Sequence, residues 1–534
     1  MARFRHRIAI VAAALVAASL PVIDFPAASA ADPPILWGAR PAGRDGQNDQ
    51  EALDALQAEI GQDLRAVRIF ETWEQSWPDA YANGIKAAGQ IPLLSIKPKR
   101  DNGTKITWRS IADAQAGSPI YQEIVGWATK LKNYGGPVYF VFHHEPEATA
   151  NLAYGTAADF KDAWRRVVDV LRAQGVTNAT YLWTMTDYSF WAPSTERRQA
   201  AKWYPGDAWV DAIGADAYNW YTCRGANEGW RSLEKIITPL RDFGLAHPGK
   251  QLWLPEWASV EDPANPTRKA QWIADARALF EQPGFSQFVG IAYFHNEHDN
   301  AQYPACDWWV DTSQASLDAF TAMGDDPFYG GQRTVLFVVG NPAAMTTGDT
   351  QAVDHLNNLG MSVTVADDDT VTAADAAGRS AVLMSGSVKS SFGSRFRSLA
   401  VPVVVWKPWL YDDFDLTGTV ANVSYNNATT ASVQIMTTGH HLAAGRTGTV
   451  AVYTSAQTVA VGVPAATATT VATANGTPGL FVYKAGAALF SGAVAPACRI
   501  AFPASGTSMA AFTADGWALF EQAVTDAVFG CARD

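Results

Sequence analysis

Short apolar runs recur at regular intervals along the first part of the chain: Ile35–Ala39, Ala66–Phe70, Ile91–Ile96, Val138–Phe142, Thr180–Thr184, Val210–Gly214, Gln251–Leu254 and Phe288–Phe294. Runs this short, apolar throughout rather than alternating, read as strands buried on both faces. Between most of them lie segments with helical periodicity. Residues 158–173 place Phe160, Trp164, Val167, Val168 and Leu171 on one face and are followed by Gly175, a helix-stop signal. Eight strands alternating with helices predict an α/β protein whose first domain is a (β/α)8 TIM barrel. The pattern stops at residues 323–332, where glycine and proline interrupt it, and Thr334–Val339 starts a new strand. Beyond it, Val335–Val339, Ser362–Val365, Ser380–Met384 and Val401–Val405 alternate with a helical stretch near residues 350–358, predicting a smaller doubly wound α/β domain. Residues 418–479 are rich in Thr, Ala, Val and Gly and alternate in polarity, which predicts additional strands. A helix capped by Thr513 closes the chain.

Composition narrows the setting. The 534 residues, 48% of them hydrophobic, can bury two or three domain cores. A formal net charge of -12 argues against nucleic acid or an anionic membrane as partner. Residues 1–30 have a basic start, an apolar stretch from Ile8 to Leu20 and Ala28-Ser29-Ala30, the pattern of a secretory signal peptide. The expectation is therefore a secreted, extracellular monomer, divided into a signal peptide (1–30), a barrel (31–327) and an ancillary domain (333–534). Four cysteines suit an oxidising compartment and are expected to pair as Cys223–Cys306 and Cys498–Cys531. Their spacing fits no zinc pattern, and neither a metal nor a cofactor is expected.

Two carboxylates stand at apolar run ends: Glu145 in Phe140-Val-Phe-His-His-Glu-Pro-Glu147 and Glu256 in Leu252-Trp-Leu-Pro-Glu-Trp-Ala258. In a β/α barrel the C-terminal ends of the strands form the site face. Under the strand count, Glu145 ends strand four and Glu256 strand seven, on opposite sides of the barrel mouth. A carboxyl pair so placed suits glycoside hydrolysis with retention, one acid protonating the leaving oxygen and one carboxylate attacking the anomeric carbon. A polysaccharide or oligosaccharide is the expected substrate.

Residues 33–325 resemble glycoside hydrolase family 26 in the order of their landmarks. These are His144-Glu145 after a strand, Phe160–Val168 and Asn178–Thr184 following it, Trp203–Tyr218, and Pro255-Glu256. The resemblance implies a retaining endo-hydrolase with Glu145 as acid/base, Glu256 as nucleophile, His144 beside the acid, and Tyr218 hydrogen-bonding the nucleophile. It implies β-1,4-mannan as the first substrate to consider, with β-1,3-xylan and mixed-linkage glucan as alternatives. Many mannanases of that family follow the acid with Asn-Gly and an aromatic pair, whereas this chain has Pro146-Glu147-Ala148-Thr149-Ala150.

Trp73, Trp183, Trp220 and Trp257, with Trp308 and Trp309, lie near predicted strand ends and are candidates to stack on sugar rings. His295 opens a polar loop after strand eight and is a candidate cleft residue; Glu297, His298 and Asp299 in the same loop offer a rival metal-binding reading. Asp216 shares a strand face with Tyr218, so it either orients the site or is satisfied by backbone amides. Arg68, in strand two, needs a carboxylate to offset its burial, and the barrel centre beneath Glu256 is the place expected to supply one. Residues 333–534 resemble a degenerate class I glutamine-amidotransferase-like, flavodoxin-like domain. The nucleophile elbow of that family requires cysteine, and Met384-Ser385-Gly386-Ser387 supplies serine. His440 and His441 accompany no Ser-centred elbow, so the domain is expected to be non-catalytic. A carbohydrate-binding protein that keeps the barrel without hydrolysis is the competing class.

Overall fold

The computed structural model describes residues 34–44, 46–225, 228–297 and 306–531. The expected signal peptide, and His298 and Asp299 of the loop after strand eight, lie outside them. Eight parallel strands close into a barrel: β1 (Leu36–Pro41), β2 (Ala66–Thr72), β3 (Ile91–Lys97), β4 (Val138–Phe142), β5 (Ala179–Thr186), β6 (Ala212–Asn219), β7 (Gln251–Ser259) and β8 (Phe288–His295). β8 pairs with β1 over six residues to complete the ring.

Every expected strand is present, and several run further than their apolar cores. β6 extends to Asn219 and β7 to Ser259. The polar residues that interrupt the apolar pattern, Asp216, Tyr218 and Glu256, are strand residues on the site side. Apolarity marks the part of a strand that packs, not the part that carries chemistry. All eight residues of β6 are buried.

The helices between strands carry the caps their sequences advertise. Asn48 and Glu51 form a reciprocal capping box before the helix Asp49–Ile60, and Thr156 and Asp159 do the same for Ala157–Ala173. Gly175 takes the left-handed conformation just past the latter (φ 76°).

Inside the barrel, a small apolar cluster of Ala66, Leu93, Tyr139, Val141, Leu182, Ala212, Trp253 and Ala292 fills the end away from the site. Tyr139 and Trp253 dominate it, with ring centroids 4.5 Å apart. The Trp253 indole fits because the facing β8 position is Gly290: a Cβ there would lie 2.1 Å from the ring.

The second part of the chain builds a nine-stranded sheet. Its parallel half is β9 (Thr334–Val339), β10 (Ser362–Asp367), β11 (Ala381–Met384), β12 (Val403–Val405) and, from much later in the chain, β19 (Arg499–Ala501), in the order β10-β9-β11-β12-β19. That is the 2-1-3-4-5 order of flavodoxin-like folds. The Thr- and Ala-rich region supplies the expected extra strands: β14 (Ser432–Ile435), β15 (Thr449–Ala451), β17 (Thr469–Ala474) and β18 (Thr477–Tyr483) continue the sheet antiparallel, while β13 (Tyr425–Thr430) and β16 (Gln457–Gly462) form a separate ribbon. One face packs on the helices Thr347–Asn358 and Ala514–Val528, where Phe337, Trp406 and Phe520 meet. The other is covered by 3-10 segments and the ribbon, through Phe392, Tyr411 and Phe414. The doubly wound expectation therefore holds for strand order but not for helices on both faces.

Both disulfides pair as expected, Cys223–Cys306 and Cys498–Cys531. Among the described residues, no helix is long and apolar enough to cross a membrane.

The Gly290 position gives a stability test. Gly290→Ala forces the Trp253 ring or β8 to move, and overpacking of this kind destabilises by about 1–3 kcal/mol; a lowered urea midpoint measured by tryptophan fluorescence is the expected result, and an unchanged midpoint would show that the barrel interior yields freely.

Candidate active site

β4 ends at Phe142, and the three residues that follow turn the chain across the barrel mouth. His143 (φ 54°) and Glu145 (φ 47°) both adopt the left-handed conformation, which non-glycine residues hold only where surroundings enforce it. Here the enforcement is visible. The His143 amide donates to Ile96 O on β3 (2.9 Å), and the Glu145 amide to Thr184 O on β5 (3.1 Å). Trp108 Nε1 donates to His143 Nδ1 (3.0 Å) and Asn151 Nδ2 to Glu145 O (2.9 Å). The turn is thus bonded to both neighbouring strands, and the Glu145 carboxyl is aimed at the cavity.

Glu256 reaches the same cavity from inside β7. Pro255 has no N–H for a sheet ladder, and the register of β7 shifts there against both neighbours. This irregularity needs room on β6. Gly214 provides it, since a Cβ at that position would lie 2.8 Å from Pro255 Cγ. The carboxylate that results is 6% exposed. Tyr218 Oη donates to its Oε2 at 2.7 Å, and Arg68 Nη2 approaches its Oε1 at 3.4 Å. Arg68 is itself only 1% exposed, and the expected carboxylate partner for this buried strand cation is Glu256. Burial and the neighbouring Glu256 charge hold the Tyr218 phenol well above its usual range, so it stays a donor.

The two glutamates meet in a cavity of about 420 Å³ whose walls include Asp187, Asp216, Tyr218, Trp220 and Trp308. Desolvation, then the Glu256 charge, then Glu147 and Asp187 push the Glu145 carboxyl well above the usual carboxylate range, against a smaller pull from Arg68. Asp216 is raised in the same way, by burial first and then by Glu256 and Glu145. Neither Asp216 oxygen has a hydrogen-bond partner among the described residues; the backbone-amide alternative is not what is seen.

Two further acids escaped the sequence analysis. Glu147, fully buried, accepts from the Thr186 amide (2.8 Å), Thr186 Oγ1 (2.7 Å) and Ser189 Oγ (2.7 Å). It ties the loop after β4 to the end of β5. Asp187, just past β5, is lifted to about 6 by burial although Arg231 stands 3.5 Å away. The signal for Glu147 was present in the Glu-Pro-Glu sequence; for Asp187, on a short helix, there was none.

The remaining candidates separate by strand parity. Tyr218 and Trp220 line the cavity, as does Trp308. His144 shares a hydrogen bond with Ser95 Oγ (2.8 Å) and is kept neutral by burial and by Arg68. Trp183 and Trp257 neighbour inward-facing residues and so turn outward: Trp183 packs on Phe190, Tyr204 and Phe243, and Trp257 on Trp272 and Tyr293. Trp73 is buried with its Nε1 on Glu123. His295 is buried too, its Nδ1 accepting from the Val310 amide (3.1 Å) and its ring against Trp309. The structure does not bring these four to the cavity. The Val310 bond also occupies one His295 nitrogen that the metal reading would need.

Residues 115–247 match the family model for glycosyl hydrolase family 26. The match contains Glu145 and Tyr218 and stops before Glu256, and it supports a glycoside hydrolase domain. A relative, Endoglucanase H of Acetivibrio thermocellus, is 25% identical over 283 residues, which are 51% of this chain and 29% of that protein. The chain thus spans under a third of that relative's length. Among solved structures, the catalytic domain of a family 26 endo-β-1,4-mannanase from Bacillus sp. JAMB-750 is 18% identical, covering 56% of this chain and 88% of its own, with a TM-score of 0.41. An exo-β-1,4-mannosidase from Opitutaceae bacterium strain TAV5 is 14% identical over 88% of this chain and 91% of its own, with a TM-score of 0.39.

The unpartnered Asp216 gives a signed pH test. Its folded value lies above its unfolded one, so its contribution to stability is full below about pH 4, the unfolded aspartate value, and is lost as pH climbs to the raised folded value. Asp216→Asn keeps the shape without that loss. The variant should melt with the wild type at pH 4 and roughly 3 °C or more above it at pH 7.5; a gap that does not widen with pH would show that Asp216 ionises freely.

Proposed function

We propose that the barrel hydrolyses a β-linked glycan by double displacement, with Glu145 as acid/base and Glu256 as nucleophile. The observation that carries this reading is the opposite treatment of two carboxyls in one cavity. Glu145 is desolvated and faces other acids, which favours its protonated form. Glu256 receives hydrogens from Tyr218 and Arg68, which favour a localised negative charge.

In the first step Glu145 transfers its proton to the glycosidic oxygen while a Glu256 oxygen attacks the anomeric carbon, giving a glycosyl ester and a free leaving sugar. Forming the ester removes the Glu256 charge, the largest electrostatic influence raising Glu145 after burial. Glu145 is then left ionised beside a neutral ester, and it can take a proton from the water that attacks the anomeric carbon and displaces the Glu256 carboxylate. That attack restores both groups. Tyr218 and Arg68 hold the nucleophile throughout, and His144, neutral and bonded to Ser95, fixes the turn beside the acid.

The substrate we propose is β-1,4-mannan, on the resemblance to family 26. Endoglucanase H among the relatives supports a β-glucan as the second choice. The two disulfides support an exported protein, and we propose a monomer divided near residues 327–333. The C-terminal part is proposed to be an ancillary amidotransferase-like domain without catalysis of its own. Ser385 stands after β11, and its hydroxyl donates to Asp349 Oδ1 (2.6 Å), as Ser387 Oγ does to Oδ2 (3.1 Å). A hydroxyl donating to a buried acid in this way is held rather than activated.

Glu145→Ala and Glu256→Ala should each lower reducing-end release from galactomannan or glucomannan by about 10³-fold or more. On an aryl glycoside with a good leaving group, azide should rescue Glu145→Ala to a β-glycosyl azide and Glu256→Ala to an α-glycosyl azide. NMR of the first product from wild type should show retained configuration; an inverted first product would sink the double displacement. On the alkaline side, activity on the natural linkage should fall as pH rises through the elevated Glu145 value, because the acid must carry its proton.

A further inference from the structure

The catalytic cavity opens into a second one of about 520 Å³, and five residues, Asp187, Tyr188, Arg198, Trp220 and Arg224, line both. The second cavity adds Arg231, Lys235 and Glu228, with the exposed indole of Trp191 (51%) and Trp230 at its edge. Its balance of charge differs from that of the first, whose lining sets Glu145, Asp187, Asp216 and Glu256 against the shared Arg198 and Arg224. Around the cleavage point stand Glu145, Asp216 and Glu256, with Glu147 buried behind them. In the second cavity four cations, Arg198, Arg224, Arg231 and Lys235, face two lining carboxylates, Asp187 and Glu228. Glu196, 3.4 Å from Arg198, makes a third.

Two of these cations, Arg231 first and then Arg224, pull the Asp187 carboxyl down against its burial. The chief cation acting on Glu145 is Arg68, which lies inside the barrel. Arg231 is engaged with Asp187 at 3.5 Å and with Tyr218 O at 3.2 Å. Arg198, whose Nε also reaches Glu196 at 3.4 Å, and Arg224 are laid over aromatic rings at the junction of the cavities: Arg198 4.0 Å above Tyr188 and Arg224 3.5 Å above Trp220. A guanidinium stacked in this way keeps its N–H groups in one plane, which is the geometry for paired bonds to a carboxylate. The neighbouring indoles supply flat surfaces for the sugar ring that would bear it.

Resting on the hydrolase reading above, we propose that the second cavity is a subsite for an acidic sugar, so that the enzyme prefers a β-glycan with a neutral residue at the cleaved bond and a uronate-type carboxylate one cavity away, bound by Arg198 and Arg224. Glu145, Asp216 and Glu256 line the cleavage point, and a neutral sugar suits it. The overall charge of -12 hides this local difference.

The test uses the full chain carrying Glu256→Gln, so that ligand is bound without turnover. It is titrated calorimetrically with glucomannan oligosaccharides oxidised in part at C6, and with the same oligosaccharides after their carboxyls are reduced to alcohols. The oxidised ligand should bind about tenfold more tightly at low salt, as expected for desolvated charge pairs, and the advantage should shrink at about 0.5 M salt. Adding Arg198→Gln and Arg224→Gln should abolish the preference, and Arg198→Lys with Arg224→Lys should restore part of it. Equal affinity for the two ligands, affinity for neither, or a preference that survives the glutamine pair would overturn the subsite. The first comparison needs no arginine variant and so stands even if those variants fold poorly. Cleavage of neutral glucomannan by wild type, run alongside, reports separately on the hydrolase: cleavage without a binding preference sinks the subsite alone, and a preference without cleavage sinks the hydrolase alone.

Discussion

Crowding of acids at a poorly hydrated barrel mouth is the constraint around which the rest of the molecule is arranged. Burial and neighbouring carboxylates, Glu256 first among them, raise the cost of ionising Glu145 and Asp216. The barrel resolves the conflict unequally. Glu147 is given three donors and serves as a tie between loops. Glu256 is given Arg68 and Tyr218. Glu145 and Asp216 are given little, and burial with the neighbouring charges raises both carboxyls. The double displacement proposed above rests on this uneven supply of partners.

The barrel was legible in the sequence because buried parallel strands leave nearly unbroken apolar runs, and all eight were found. Their site-side ends were not legible to the same degree. Pro255 reads as a strand terminator, yet β7 continues through it because Gly214 on the neighbouring strand leaves a gap for the ring. That compensation links residues from different parts of the chain and has no local signature. Glu145, Glu256 and Arg68 stood out because a carboxylate or guanidinium in an apolar run demands an explanation. The tryptophans misled for the converse reason: nearness to a strand end says nothing about which way a side chain points. Trp183 and Trp257 have the parity of packing residues, and a strict count of alternation from Glu256 would have assigned Trp257 correctly.

In the C-terminal half the first four strands were readable as a flavodoxin-like core, and the fifth was not. β19 joins the sheet only after the chain has built the antiparallel extension and the ribbon. Sequence periodicity describes neighbours along the chain, and this sheet is completed by a residue run nearly a hundred positions later than β12. The Cys498–Cys531 bond then fixes β19's approach to the closing helix.

The Cys223–Cys306 bond separates two events in the life of the protein. Glu145, Arg68, Tyr218 and Glu256 all lie before residue 260, so the reacting groups are synthesised before the second cysteine leaves the ribosome. Trp220 and Arg224 on one side of the bond and Trp308 on the other form part of the cavity wall. The bond therefore joins two stretches of the cavity wall that lie 83 residues apart in the chain. A chain kept in a reducing compartment would carry its acids in place with that wall unpinned.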